Sequence, residues 1–432
     1  MVDPGADSPT TTADRPQFPV GTSPERERAG SPGAFPKDDP LPGGRGSSRP
    51  LRIALAHDWL CGFRGGEVVL ERIASLIVRE HEAVGVFTMF SDARPLSPTV
   101  DALPRFVAPL GRLPLASTRL RRWLLPLYPR AVAQAAALLA REHRRRPIDL
   151  VISTSSAAIK GLRAPAGVPH VCYCHSPARY VWSQGAAYER GSALRGVGLR
   201  AFRALYRRWD ARTAANVDVF LANSAHTRAQ VRAAFGRDSI LVFPPVDTDF
   251  YTPGDAPYHD ARPAPPRDDR WLVVSALEPY KRIDLAIDAA NRARHPLTVV
   301  GDGSSRTHLE RGAGPTVRFT GRIPDEALRG LYRASRLLLF PQVEDFGIVA
   351  VEAQACGLPV VARRAGGALD IVRDGVTGAL FGGDSTASLL EAVARCPAAG
   401  ARACRVNAER FAPARFDAAL RAVIAAAVSA KA

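Results

Sequence analysis

Lysine is scarce in this chain. Only Lys37, Lys160, Lys281 and Lys431 contribute to its 58 basic residues, and all the others are arginines. With the Ala-rich stretches around them, these arginines read as a compositional bias. A lone arginine therefore carries little information, and a lysine inside a motif carries more. Cysteine is sparse as well. Cys61, Cys172, Cys174, Cys356, Cys396 and Cys404 form no C-x-x-C pair and no Cys/His spacing suited to zinc. This excludes a disulfide scaffold and sets the expectation of buried thiols in a reducing compartment. No run approaches the roughly 18 apolar residues that would cross a bilayer. The first residues lack the basic and apolar regions of a secretory signal, so a cytoplasmic location is expected. Other absences narrow the chemistry. There is no H-E-x-x-H or other metal cluster, and Ser155 and Ser176 have no nucleophile-elbow context. Val299–Arg306 contains G-x-G without the third glycine of a dinucleotide fingerprint.

What is present is a long, basic, largely globular chain of 432 residues with a net charge of +16. With 46% hydrophobic and 23% charged residues it can bury a substantial core. Most of the surplus of glycine and proline sits in residues 1–50, which show no apolar period and are expected to form a disordered tail. From Leu51 onward, short apolar runs (LRIALAHDW, VGVFTMF, IDLVISTSS, VPHVCYCHS, DVFLANS, SILVFPPV) alternate with helical patterns. One Arg/Leu/Ala-rich helical region is expected from about Leu113 to Arg146. After a Pro/Asp/Arg-rich segment at 247–270 the alternation resumes with RWLVVSAL, PLTVVGDG, TVRFTGRI, RLLLFPQ and LPVVARR. Strands alternating with helices make a parallel, doubly wound sheet. The pattern occurs twice, so the expected fold class is α/β, two Rossmann-like domains facing a cleft, at 51–246 and 247–411. Ligands would bind beyond the carboxyl ends of the strands.

The most specific motif is Glu344-Asp-Phe-Gly-Ile-Val-Ala-Val-Glu352. One carboxylate ends the loop after a strand, Gly347 permits a tight turn, and a second carboxylate lies early in the next helix. The N–H groups at such a helix start, near Gly347 and Ile348, suit a phosphate. Ionised carboxylates only accept hydrogen bonds, and sugar hydroxyls can donate them.

This run resembles the E-x7-E motif of retaining glycosyltransferases of family 4, which have the GT-B fold. So do Val274–Ala289, Val299–Gly303, Val317–Tyr332 and Ala365–Phe381. In the first half, HDWLCGFRGGEVVLE, CYCHSPARYVW, ANSAHTRAQV and PPVDTDFY look like the branch of mainly GDP-mannose-dependent mannosyltransferases. The resemblance runs in order from about Leu51 to the C-terminus. It implies transfer of a hexose, mannose from GDP-mannose, to a hydroxyl of a glycan or lipid-linked acceptor, with retention of configuration. Alternatives are a UDP-hexose or UDP-N-acetylhexosamine donor, or a non-catalytic GT-B protein that binds a nucleotide or a partner enzyme.

The resemblance also implies roles. Glu344 would hold hexose hydroxyls near the reacting centre and Glu352 the ribose hydroxyls. Phe346, Gly347 and Ile348 would offer backbone N–H groups, and Lys281 would face the diphosphate. His175 would orient donor hydroxyls, and Gly65 and Gly66 would let backbone approach the diphosphate. The backbone around Gly321, Arg322 and Ile323 would contact the base. Most relatives carry an arginine where this chain has Ala276. Arg282 either replaces it or points away. The nucleotide sugar would be a co-substrate, with no obligatory metal. A helix from Arg415 to Val428, within about 412–430, would cross back to the first domain.

Two arginine-rich stretches interleaved with Leu, Trp and Tyr (RLRRWLLPLYPR with AREHRRRP, and LRAFRALYRRWDAR) suit an anionic membrane surface, and docking there would put this cytoplasmic protein peripherally on the inner face of the plasma membrane. A pI near 10.3 would permit nucleic-acid binding, but no recognised module is present and none is expected.

Overall fold

The computed structural model describes residues 49–432, except positions 64, 93, 114, 118–119, 121–122, 183–192, 255–266, 397–399 and 432. The expected tail lies almost wholly outside the described residues, as does the middle of the 247–270 segment. Within Gly46–Ala432, one compact unit, stand two sheets. The first contains β1 (Arg52–Leu60), β2 (Glu82–Ser91), β3 (Arg105–Val107), β4 (Leu150–Ser155), β5 (His170–Cys174), β6 (Val219–Ala222) and β7 (Ile240–Leu241), in the order β3-β2-β1-β4-β5-β6-β7. The second contains β8 (Trp271–Val274), β9 (Leu297–Val300), β10 (Val317–Gly321), β11 (Leu337–Phe340), β12 (Val360–Arg363) and β13 (Gly378–Phe381), in the order β10-β9-β8-β11-β12-β13. All the ladders are parallel. Strand order reverses between β1 and β4 in one sheet and between β8 and β11 in the other.

The apolar runs are continuous because both faces of each sheet are covered. Successive side chains on a strand point to opposite faces. Ile53 and Leu55 accordingly enter one core cluster, and Ala54 and Ala56 another. Leu338 and Phe340 likewise face away from Leu337 and Leu339. The two-domain α/β architecture expected from the alternation is thus observed.

Three local expectations need correction. The helix expected from about Leu113 covers only Tyr128–Arg145. Pro126 and Pro129 have no N–H to donate, so they are tolerated at a helix start but not in its interior. The edge strands β3 and β13 are additional to the runs quoted above, the first being only three residues long. The run SILVFPPV yields just two strand residues, Ile240 and Leu241.

The helix Pro413–Ser429 buries Phe416, Leu420, Ile424 and Ala427 among Ile53, Leu55, Leu70 and Ile73 of the first half. Asp417 receives Arg72 through two bonds, at 2.7 and 2.8 Å, and Arg79 at 3.3 Å. Phe416 meets the Tyr173 ring edge-on at 5.9 Å, and the Tyr173 hydroxyl donates to the Val242 carbonyl at 2.9 Å. This end of the chain thereby supports β5, which carries His175 beyond its last residue. Phe416→Ala should remove about 3 kcal/mol or more of stability, read as a lowered denaturant midpoint.

Candidate active site

The reversal in the second sheet opens a crevice between the loops that follow β8 and β11. Lys281 ends a 3-10 turn, Pro279–Lys281, in the first loop, and Glu344 lies in the second. Their side chains meet as an ion pair, each largely shielded from water. Two candidates 63 residues apart in the sequence are therefore brought together.

The Glu344 loop is shaped by glycine. Gly347 has φ 108°, and a Cβ there would stand 2.8 Å from Phe340 Cζ. A Cβ on Gly367 would lie 2.4 Å from Phe346 Cα, and the Gly367 N–H donates to the Glu344 carbonyl at 2.9 Å. Backbone packs on backbone, and only glycine leaves room for it. The Phe346 ring is buried against Phe243 and Phe411, so this residue can face a ligand only through its backbone. The helix Ile348–Ala355 then begins, its first N–H groups lacking acceptors within the helix.

Glu352 lies on that helix and accepts from the Tyr332 hydroxyl at 3.0 Å. Burial pushes its carboxyl up to about 7, against the opposing effect of the tyrosine hydrogen bond. Arg282 turns away from this crevice. It adopts φ 54° and pairs with Asp284 and Asp384, each at 3.2 Å. Ala276 is exposed in the loop after β8. Gly321 ends β10 with φ 71° close to the Arg306 guanidinium, and Arg322 beyond it is exposed.

The first sheet supplies the facing wall. His175 follows β5. Its carbonyl is held by Asn223 Nδ2 at 3.1 Å and by the Thr227 hydroxyl at 3.3 Å. Burial, with the charges of His57 and Arg179, pushes the His175 imidazole down to about 3, so it is neutral at working pH. A Cβ on Gly66 would lie 3.6 Å from His175 Nε2, and one on Gly65 would lie 3.4 Å from Ile348 Cδ1 across the cleft. Gly65, Gly66, His175 and the start of the Ile348 helix therefore share one space. Burial raises the Glu67 carboxyl, but the hydrogen bond and charge of the His57 imidazole 3.6 Å away, with a backbone hydrogen bond and His175, together hold it below the usual glutamate range. Asp58, one residue on, accepts from the N–H groups of Ser156, Ala157, Ala158 and Ile159 at 2.6–2.9 Å and fixes the loop after β4.

Four buried polar atoms at these strand ends have no partner among the described residues: His175 Nε2, Ser176 Oγ, Asn223 Oδ1 and Gln342 Oε1. Buried polar groups are normally paired, so such a cluster is suited to a polar ligand. Sequence reasoning missed Asn223 and Gln342, although both lie within quoted motifs, ANSAHTRAQV and RLLLFPQ. It also missed Asp345, which Arg179 grips from the opposite sheet. Among the described residues no group of three or more metal-ligating side chains converges. All six cysteines are free, and burial pushes the Cys172 thiol up to about 12.

The raised Glu352 carboxyl has a consequence for stability. The folded chain holds this proton up to about pH 7, whereas an unfolded glutamate releases it near 4.5. Stability from this group therefore falls as pH rises from about 4.5 to 7 and stays lower above. Glu352→Gln should raise the melting temperature at pH 8 and lose that advantage at pH 4.5 in thermal unfolding.

Known proteins place this geometry in a family. The profile described as "Glycosyltransferase Family 4" matches residues 63–250, and that described as "Glycosyl transferases group 1" matches residues 257–399. A D-inositol 3-phosphate glycosyltransferase of Acidothermus cellulolyticus is 31% identical over 381 residues, covering 79% of this chain and 80% of that protein. Sucrose-phosphate synthase from Thermosynechococcus elongatus superposes with a TM-score of 0.67 at 18% identity, over 88% of this chain and all of that one. Anabaena HepE in complex with UDP and glucose gives 0.60 at 19% identity, over 86% and 98% of the two chains. The chain belongs to the family 4 glycosyltransferases and has their GT-B fold of two Rossmann-like domains.

Proposed function

We propose that this glycosyltransferase moves a hexose, mannose from GDP-mannose, to a hydroxyl of a glycan or lipid-linked acceptor, with retention at the anomeric carbon. The observation that carries the reading is the Lys281–Glu344 pair beside the free N–H groups of the Ile348 helix, opposite neutral His175. A cation and a helix start suit the diphosphate, and a carboxylate suits sugar hydroxyls. In the transfer, the bond from the anomeric carbon to the diphosphate breaks and the acceptor oxygen bonds on the same face. The acceptor proton passes to the departing phosphate oxygen. Lys281 and the helix N–H groups stabilise the charge that grows there. His175, uncharged, orients donor hydroxyls without acting as a base. Glu352 receives ribose hydroxyls, and the backbone at Gly321–Ile323, with Arg322 exposed beside it, meets the base. Arg282 reaches the diphosphate only by leaving Asp284 and Asp384.

The GDP-mannose preference rests on the first-half motifs HDWLCGFRGGE and CYCHSPARYVW. A second reading is favoured by the similarity to D-inositol 3-phosphate glycosyltransferases: the acceptor is a phosphorylated polyol.

No helix among the described residues is long and apolar enough to cross a membrane. An anionic bilayer surface is nevertheless proposed as a partner. Trp123 is 82% exposed, and Leu113, Leu115, Leu120 and Leu127 are exposed in the same stretch, with Arg112 and Arg130 exposed at its ends. Apolar anchors between arginines suit anionic headgroups.

Glu344→Ala and Lys281→Ala should each lower the rate of GDP-mannose consumption by at least about a hundredfold. Wild-type rates in both variants would discard the assignment. Ribose hydroxyls need an ionised Glu352, so KM for the donor should rise as pH falls below about 7, and Glu352→Gln should abolish that dependence. In flotation with phosphatidylglycerol vesicles, the protein should rise with the vesicles at low salt and Trp123→Ser should weaken this. A protein that stays at the bottom would rule out membrane docking.

A further inference from the structure

The loops that carry His175 and Glu344 belong to different sheets, yet they are joined. Arg179 stands four residues beyond His175. Its Nε donates to Asp345 Oδ2 at 2.8 Å, and its Nη2 donates to the same oxygen. Asp345 Oδ1 accepts from Gln230 Nε2 at 3.4 Å, from the helix Ala225–Phe235. Asp345 is therefore received by two side chains of the opposite half, and it is itself buried. Its neighbours in sequence are Glu344, which pairs with Lys281, and Phe346, whose backbone is clamped by Gly367. The segment is thus fixed to its own sheet by backbone packing and to the other sheet by one carboxylate. Gly65 meets Ile348 at the same place. The Glu344 carboxylate also acts on the Arg179 guanidinium, so the clasp adjoins the charged part of the site.

We propose that Arg179 and Asp345 form a positioning pair across the cleft, which sets Glu344 and the bound donor in register with His175 and the acceptor. This rests on the transfer reading given under "Proposed function". The physical need is geometric. Same-face transfer requires donor and acceptor groups from two halves to meet near contact distance, and a misplacement of about 1 Å can cost about a hundredfold in rate. Apart from Gly65, Gly66 and His175, the donor contacts proposed above lie on the second half, at Lys281, Glu344, the Ile348 helix and Glu352. Losing the clasp therefore leaves nucleotide affinity in place and lowers turnover. The Arg179 fork is suited to this task because both bonds to the carboxylate come from one rigid plane, which lysine cannot reproduce.

The test is a double-mutant cycle of Arg179→Met and Asp345→Asn, with Arg179→Lys as a milder variant and circular dichroism to confirm folding. Each single change should lower kcat by about tenfold or more, and the double variant should fall no further than either one. Calorimetric affinity for GDP should stay within about threefold throughout, and Arg179→Lys should retain an intermediate kcat. The proposal is overturned if the two losses multiply, or if GDP affinity falls in parallel with rate. A second readout needs no turnover: small-angle scattering should give a larger radius of gyration for either single variant than for wild type. Unchanged radii would contradict the clasp even if GDP-mannose proved not to be the donor. Larger radii with no GDP-mannose turnover in wild type would uphold the clasp and discard the donor reading.

Discussion

Parallel pairing is the constraint from which the site follows. When every ladder in a sheet is parallel, all strands end on one edge, and the loops at that edge are free of the crossover helices. In this chain the two reversals of strand order place β1 beside β4 and β8 beside β11. The residues at those four ends include His57, Asp58, Ser155, Lys281 and Glu344. His175 is one strand further along the first sheet. The chemistry is thus gathered by topology, from segments separated by more than a hundred residues.

Charge at this edge is arranged by burial as much as by pairing. His175 is kept neutral, Glu67 is kept ionised by His57, and Glu352 is held near the middle of the physiological range. Similar groups behave differently because their surroundings differ. Lys160 shows the structural counterpart. It is buried against Asp210 at 2.7 Å, and Trp182 donates to the same carboxylate at 2.7 Å. A lysine rare in the composition can thus serve either the fold or the site, and its partners decide which. Lys281 pairs at the mouth of the crevice, whereas Lys160 pairs beneath the sheet's surface loops.

Much of the fold was legible because its signal is local. Buried parallel strands leave short continuous apolar runs, and helices leave a 3.6-residue period. What escaped was governed by other rules. Pro126 and Pro129 delayed a helix that composition alone extended to Leu113. The three residues of β3 are too few to leave a period. In the site, Lys281, Glu344, Gly347 and Ile348 were legible through motif resemblance, and the structure brings them together. The direction of Arg282 was not, because it depends on a left-handed turn and on Asp384, a hundred residues away. Arg179 was hidden by the abundance of arginine. Its partner Asp345 lies 166 residues on, in the other sheet, and no spacing rule links them.

The proposed mannose donor requires this edge to bind a nucleoside diphosphate sugar whose base is guanine. Titration calorimetry of the full chain against GDP, UDP and ADP tests it most directly. One GDP site per chain is expected, with affinity at least about tenfold higher than for UDP or ADP. Preference for UDP would contradict the mannose donor, and absence of binding by all three would contradict the site itself.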